Sequence, residues 1–393
     1  MDNFVTFLES YQDKPNVDYF DFERLLNTTN AHYHINNYHH CFKNHHSRTQ
    51  PYPLQRYYQQ IKPVTPVTKR QEIIDFVIES LDDLISLLDK YPYDETVEYN
   101  IDLKNLHKIR PELIELDKMI GLSKLKTSIL NQLIYFIQEP ILCDKSKGFK
   151  HTILSGPPGT GKTEIARIIG TMYSKIGVLS EKNIFKKVTR SDLIAGYLGQ
   201  TSIKTREVIQ NCLGGCLFID EAYSLGNSQN NDIFAKECID TLCEALSDNK
   251  DDLMVIIAGY ENELNEYFFS MNQGLESRFI WKFNIDKYTA KELLQIFYKK
   301  VEMIQWSMDT TIDLKDLTNW FEKNADVFKN YGRDIEQWIS HIKVIHSRRI
   351  YGKSKDLCKI ITMADMEGGL KEFKENSKNN NKKMNESMYG LYL

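Results

Sequence analysis

An α/β domain built on a mostly parallel sheet, followed by a smaller helical domain, is what the sequence predicts, and three observations carry it. From about Leu116 short apolar runs alternate with stretches of helical spacing, the pattern of strands joined by crossover helices. The first of these runs, residues 151–154, ends in a glycine-rich turn that leads into a helical stretch. Beyond Tyr288 the strand-like runs stop and helical spacing alone remains.

Taken in order, residues 1–68 are irregular. Six of the ten histidines lie between His32 and His46, and Pro51, Pro53, Pro63 and Pro66 interrupt any long helix. Over residues 70–90, Ile73, Val77, Leu81, Leu84 and Leu88 recur at steps of three and four, which predicts an amphipathic helix. This region is acidic, with 13 Asp and Glu against four Lys and Arg from Glu72 to Asp117. Tyr91-Pro92-Tyr93 ends that helix and Pro111 opens the next element. Strands are then expected at residues 151–154, 184–188, 216–219 and 253–258, with a helix over 165–172. Helices are expected at 291–301, 314–325 and 334–348, and the Lys/Asn/Glu-rich residues 371–393 form a frayed tail. The domains expected are therefore an irregular His/Tyr-rich region (1–68), an acidic helical region (69–113), an α/β domain (114–287), a helical domain (288–370) and a polar tail (371–393).

Composition limits the function classes. In 393 residues, 41% are hydrophobic and 26% charged, an ordinary globular balance. The net charge of −4 provides no global footprint for DNA. No apolar run is long enough for a membrane helix, and the N-terminus has no basic and apolar leader. Seven scattered cysteines without a CxxC pair suit reduced thiols in a cytoplasmic setting, including host cytoplasm or virion for a viral source.

The strongest motif is Gly156-Pro157-Pro158-Gly159-Thr160-Gly161-Lys162-Thr163, which fits GxxxxGK[ST]. Glycines let the chain curl so that backbone N–H groups point at an anion, and the helix that follows adds its positive end. Lys162 then reaches the β- and γ-phosphates of ATP, and Thr163 places its hydroxyl on Mg2+. The second motif is Asp220-Glu221 at the end of the apolar run 217–219. Strand ends face the ligand crevice of a parallel sheet. Asp220 is placed there to hold Mg2+ and Glu221 to orient an attacking water, so hydrolysis is expected as well as binding.

These motifs resemble the AAA+ ATPases. The resemblance is greatest to the CbxX/CfqX family, which includes red-type Rubisco activases and sporulation stage V protein K-like ATPases. Beside the two motifs, it rests on Leu116-Asp117-Lys118-Met119-Ile120-Gly121-Leu122, on Ala195-Gly196-Tyr197-Leu198-Gly199-Gln200-Thr201 and on Val255-Ile256-Ile257-Ala258-Gly259-Tyr260. Asn272-Gln273-Gly274-Leu275-Glu276-Ser277-Arg278-Phe279 and Gly332-Arg333-Asp334 complete it. It covers roughly residues 114–370. It implies a P-loop AAA+ domain with flanking helices and a small helical lid; it does not cover the first 110 residues, where the residues themselves predict a mostly helical N-terminal region. It further implies that Ile120 and Gly121 line an adenine pocket, that Tyr197 is a pore-loop aromatic, that Arg278 acts in trans as an arginine finger, and that Arg333 contacts the γ-phosphate in cis. Many AAA+ proteins carry Asn or Thr where this strand ends in Ala258-Gly259-Tyr260, which leaves Tyr260 or Asn262 as the polar group there.

The expected function is an ATPase that works as a ring, a hexamer by the resemblance, and remodels an unidentified protein client through Tyr197. Two other readings stand beside it: an ATP-gated assembly scaffold with little turnover, and a DNA-transaction loader. The near-neutral charge counts against nucleic acid, and no membrane partner is expected. The histidine cluster with Cys41 has no spacing of a zinc finger, so a loop or adaptor surface is preferred to a metal site there.

Overall fold

The computed structural model describes residues 69–138, 148–180, 184–197, 199–226, 232–354 and 357–389, with side chains to 376. The histidine cluster and Leu198 lie outside the described residues.

The chain begins with β1 (Arg70–Glu72), α1 (Leu81–Lys90), β2 (Val97–Tyr99), α2 (Leu103–Lys108), α3 (Arg110–Asp117) and α4 (Ser123–Gln138). It continues through β3 (Thr152–Ser155), α5 (Lys162–Lys175), β4 (Phe185–Val188), α6 (Arg190–Leu193), α7 (Thr201–Gln210) and β5 (Gly215–Ile219). Then come α8 (Ile233–Asp248), β6 (Leu253–Gly259), a run of short helical turns, and β7 (Trp281–Asn284). The last part holds α9 (Ala290–Met303), β8 (Ser307–Met308), α10 (Leu314–Asn324), α11 (Tyr331–Ile350), β9 (Ile360–Ile361) and α12 (Met363–Tyr389).

Five strands form one all-parallel sheet in the order β4-β5-β6-β3-β7. Its central strands are buried on both faces, which is why they read as continuous apolar runs. Side chains still alternate. Cys216, Phe218, Met254, Ile256 and Ala258 face one core, and Leu217, Ile219, Leu253, Val255 and Ile257 face another. The first core also takes in Leu84, Leu87, Leu113, Ile129 and Leu133. The acidic N-terminal helices therefore pack on the sheet, and their carboxylates mostly face outward. A third core, centred on Phe297, Phe321 and Trp338, belongs to α9–α12.

The helix expected from residue 70 begins only at Leu81. Ser80 and Asp83 form a capping box that fixes its start. The Ser80 N–H donates to Asp83 Oδ2 at 2.8 Å, and the Asp83 N–H to Ser80 Oγ at 3.2 Å. Upstream, β1 pairs in parallel with β2, and the Asn100 amide brackets both backbone groups of Ile74. Ile73 and Val77 are left 81% and 74% exposed. The run 281–284 also becomes a strand, at the sheet edge; its alternation of Trp281 and Phe283 with Lys282 and Asn284 is the half-buried pattern of such a strand. Beyond Tyr288 the described residues still include two short strands, β8 and β9, paired with each other. The tail expected to fray from residue 371 continues α12 as helix to Tyr389. Its base is fixed by Met366, Leu370 and Phe373, which are buried against the third core.

His151 opens β3 and is fully buried. Its Nε2 bonds to the Leu246 carbonyl at 3.0 Å, and its Nδ1 accepts the Val255 N–H at 3.1 Å. The second bond requires a neutral ring. Burial, ahead of the neighbouring Lys150 and Arg278 charges and against the Leu246 bond, pulls its pKa from 6.5 to about 4. The unfolded chain thus binds the extra proton between these values, and stability falls as pH drops through that window. The expected loss between pH 7 and pH 5 is about 2 kcal/mol. Thermal unfolding at both pH values should show a smaller acid penalty in His151→Gln than in the native chain, and an equal penalty refutes the assignment.

Candidate active site

Because neighbouring strands are parallel, β3, β5 and β6 end on the same edge of the sheet. That edge presents Gly156–Thr163 after β3, Asp220 and Glu221 after β5, and Tyr260 after β6. Ligands of open parallel sheets bind at such carboxyl ends. The Gly156 N–H donates to Gly259 O at 3.2 Å, which ties the loop to β6.

The loop is held in shape by its own backbone and side-chain bonds. Thr160 is buried and its hydroxyl donates to Pro157 O at 2.8 Å. Gly159 and Gly161 adopt φ of +71° and +89°, a region that side chains with a Cβ avoid. At Gly159 space is equally decisive, because a Cβ would sit 2.0 Å from Asn330 O. The Gly332 N–H donates to Gly159 O at 3.1 Å. The helical lid is thereby bonded directly to the phosphate loop, and exposed Arg333 lies in the first turn of α11 beside it. The Tyr288 hydroxyl adds a second tie, donating to Thr160 O at 3.2 Å.

Lys162 donates to Gly156 O at 2.8 Å and Pro157 O at 2.7 Å, with its ammonium 5.5 Å from the Tyr260 ring centre. Burial lowers its pKa; Asp220 and Glu221 oppose this and Arg333 adds to it. Thr163 Oγ1 lies 3.4 Å from Asp220 Oδ2. A hydroxyl and a carboxylate so close on an open edge form the oxygen donor set that suits Mg2+. Glu221 is exposed and takes φ of +51°, uncommon for a residue other than glycine. Ile120 packs against the lid core, and Gly121 takes φ of +65° where a Cβ would strike the Glu292 carboxylate.

Two sequence-marked residues lie away from this cluster. Arg278 Nε donates to Ser247 Oγ at 2.7 Å and its Nη1 to Gly274 O. The next residue, Phe279, has its ring centre 5.7 Å from that of His151, and Trp281 pairs with Thr152, so Arg278 lies near the start of β3. The phosphate loop begins five residues on, about 16 Å at a strand's rise. Tyr197 is 74% exposed, and nothing lies within 4 Å of where Gly196 or Gly199 would carry a Cβ. The loop base is pinned, because Lys204 Nζ donates to Ser191 O and Ile194 O at 2.7 and 3.1 Å. Lys204 and Arg206, the latter paired with Glu244 at 2.9 Å, are thus engaged within the chain. Asn262 is exposed.

The sequence reading missed two residues. Lys187 in β4 pairs with Asp220 at 2.5 Å. Arg190 donates to the Ser224 and Leu225 carbonyls at 2.8 and 3.1 Å and pairs with Asp232, the N-cap of α8. Both line an open cavity of about 670 Å3 that also holds Gly196, Asp220 and Glu221. Only the strand order could reveal them, since β4 and β5 are neighbours in space and 27 residues lie between Val188 and Cys216 in the chain.

Among the described residues, no helix is long and apolar enough to cross a membrane. Residues 152–283 match the family described as ATPase family associated with various cellular activities (AAA). A cfxQ-like protein, R730, of Acanthamoeba polyphaga mimivirus is 40% identical over 280 residues, 71% of this chain and 68% of that protein. The ESX-1 secretion system protein EccA1 of Mycobacterium tuberculosis is 38% identical over 188 residues, 46% of this chain. The chain spans about a third of that relative's length, 32%. The solved FIGL-1 AAA domain in complex with ADP aligns with a TM-score of 0.49 at 20% identity, over 65% of this chain and 83% of that one. With two thirds of the viral relative matched at 40% identity, and both ATPase motifs on one sheet edge, the chain belongs to the CbxX/CfqX-like AAA+ ATPases.

Proposed function

We propose that this ATPase works as a ring whose active sites are shared between subunits, and that it remodels a protein client through Tyr197. The observation that carries the reading is the position of Arg278. It is fixed at the opposite end of the sheet from its own phosphate loop, so its guanidinium can serve a γ-phosphate only on a neighbouring copy. In this scheme residues 114–287 form the nucleotide-binding domain, 288–370 the lid, and the region before them selects the client.

The residues divide the work as follows. Gly156 to Thr163 cradle the phosphates through backbone N–H groups, and Lys162 leaves its own loop carbonyls for the β- and γ-phosphates. Thr163 and Asp220 hold Mg2+, which when bound neutralises phosphate charge. Glu221 orients the attacking water, with Tyr260 beside it. Ile120 and Gly121 take the adenine, Ile120 with its apolar side chain and Gly121 with its backbone. Arg333 reads the γ-phosphate from the lid, which is already bonded to Gly159. Tyr197, standing clear of its own domain, grips a polypeptide without demanding a sequence. The cfxQ-like and EccA1 relatives support a shared motor and leave the client open.

Steady-state ATPase rate against protein concentration tests the scheme. Specific activity should rise at least about tenfold from dilute to assembled protein, as a trans-acting site requires. Turnover independent of concentration, in a protein shown to be monomeric throughout, refutes it and favours a self-contained site. Nucleotide-driven assembly without turnover favours the scaffold.

A further inference from the structure

Lys187 pairs with the carboxylate to which the proposed scheme assigns the metal. Its ammonium sits 2.5 Å from Asp220 Oδ2, the same oxygen that lies 3.4 Å from the Thr163 hydroxyl. It comes from β4, whose register sets Val188 against Ile219 and so brings Lys187 alongside the carboxyl end of β5. The ammonium also lies 5.9 Å from the centre of the Phe218 ring, within cation–π range. Lys187 is 45% exposed and Asp220 21%, so the pair is accessible and its partner can be exchanged. Lys162, the cation of the phosphate loop, is meanwhile bonded to Gly156 O and Pro157 O. The Asp220 carboxylate is therefore neutralised by a side chain that is no part of the phosphate loop.

We propose that Lys187 is a tethered counter-ion that occupies Asp220 until Mg2+ displaces it, and that it sets how much Mg2+ the nucleotide-loaded protein needs. The inference rests on the reading of Asp220 as a metal ligand. A divalent ion and an ammonium on the same carboxylate repel each other, so ion binding weakens the Lys187–Asp220 contact. The exchange also has a structural outlet. The displaced ammonium enters the open cavity that Thr189, Arg190 and Glu221 line. The pairing also lowers the repulsion between Asp220 and its neighbour Glu221.

The test is an equilibrium titration. A divalent ion, Mn2+ followed by electron paramagnetic resonance or Mg2+ by calorimetry, is added to full-length protein saturated with ADP. Lys187→Gln removes the charge and keeps a polar end, and should tighten the ion about fivefold, the ratio that a partly exposed pair is worth. Lys187→Arg keeps a cation and should stay within about twofold of the native value. ADP binding in EDTA checks that each variant is folded. Unchanged or weakened ion binding in Lys187→Gln overturns the inference, as does equal tightening in both variants. Asp220→Asn separates the two levels. If it leaves ion affinity unchanged, the metal-ligand reading fails; if it abolishes the ion while Lys187→Gln does nothing, only the counter-ion inference fails.

Discussion

Glu221→Gln should bind ATP normally and hydrolyse it about a hundred- to a thousandfold more slowly, the effect of losing a positioned base. The substitution changes one oxygen to an amide and keeps the backbone demands of the site. Those demands are specific. Glu221 sits in the left-handed region at φ +51°, a conformation that costs of order 1 kcal/mol or more and persists where surroundings impose it. Here Ala222 and Leu225 are buried immediately after it, and Arg190 clamps the Ser224 and Leu225 carbonyls. The carboxylate is thereby turned out of the strand line toward the cavity. Its charge is felt nearby, where burial first and Glu221 second push the Tyr223 hydroxyl up to about 12. Single-turnover hydrolysis beside equilibrium ATP binding separates the two functions. Full turnover in Glu221→Gln would move the base elsewhere.

Arg278→Ala should lose about a thousandfold in turnover while each subunit still binds nucleotide, the scale of an arginine finger. Loss alone is ambiguous, because Arg278 also bonds Ser247 and Gly274. Mixing resolves it. In a ring assembled from equal amounts of Glu221→Gln and Arg278→Ala chains, an interface that draws Glu221 from the second and Arg278 from the first is intact. Mixed rings should therefore recover about a quarter of the native rate although each parent is inactive. No recovery, with both variants shown to co-assemble, would mean that Arg278 acts within its own chain or only structurally.

Much of this site was legible in the sequence because it is local. Gly156 to Thr163 and Asp220-Glu221 are contiguous stretches whose chemistry follows from residue type and spacing. The buried strands were legible because burial on both faces leaves them uniformly apolar. What could not be read depends on partners distant in the chain. Ile73 and Val77 fit a helical stripe, yet the Ser80–Asp83 box starts the helix after them. Residues 281–284 carry too little apolar signal alone to announce a strand, and only β3 beside them makes one. Lys187 looks like a solvated lysine until β4 is set against β5. The helical course of the tail to Tyr389 was obscured by its polar composition, although no proline follows Pro158.

The sheet order has a consequence for how the chain is made. Thr152 pairs with Ile256 on one side and with Trp281 on the other, and β4, the next strand in sequence, is not its neighbour. The strand that launches the phosphate loop therefore has no sheet partner until more than a hundred further residues have been synthesised. At ribosomal rates this leaves it unpaired for about 5–20 s. Pairings so far apart in sequence also form slowly. During that interval α5 and the N-terminal helices, already available, are the elements that can cover its apolar side chains. A chain cut after Glu221 should present an unpaired β3 edge and aggregate, whereas one that reaches Asn284 has every strand of the sheet.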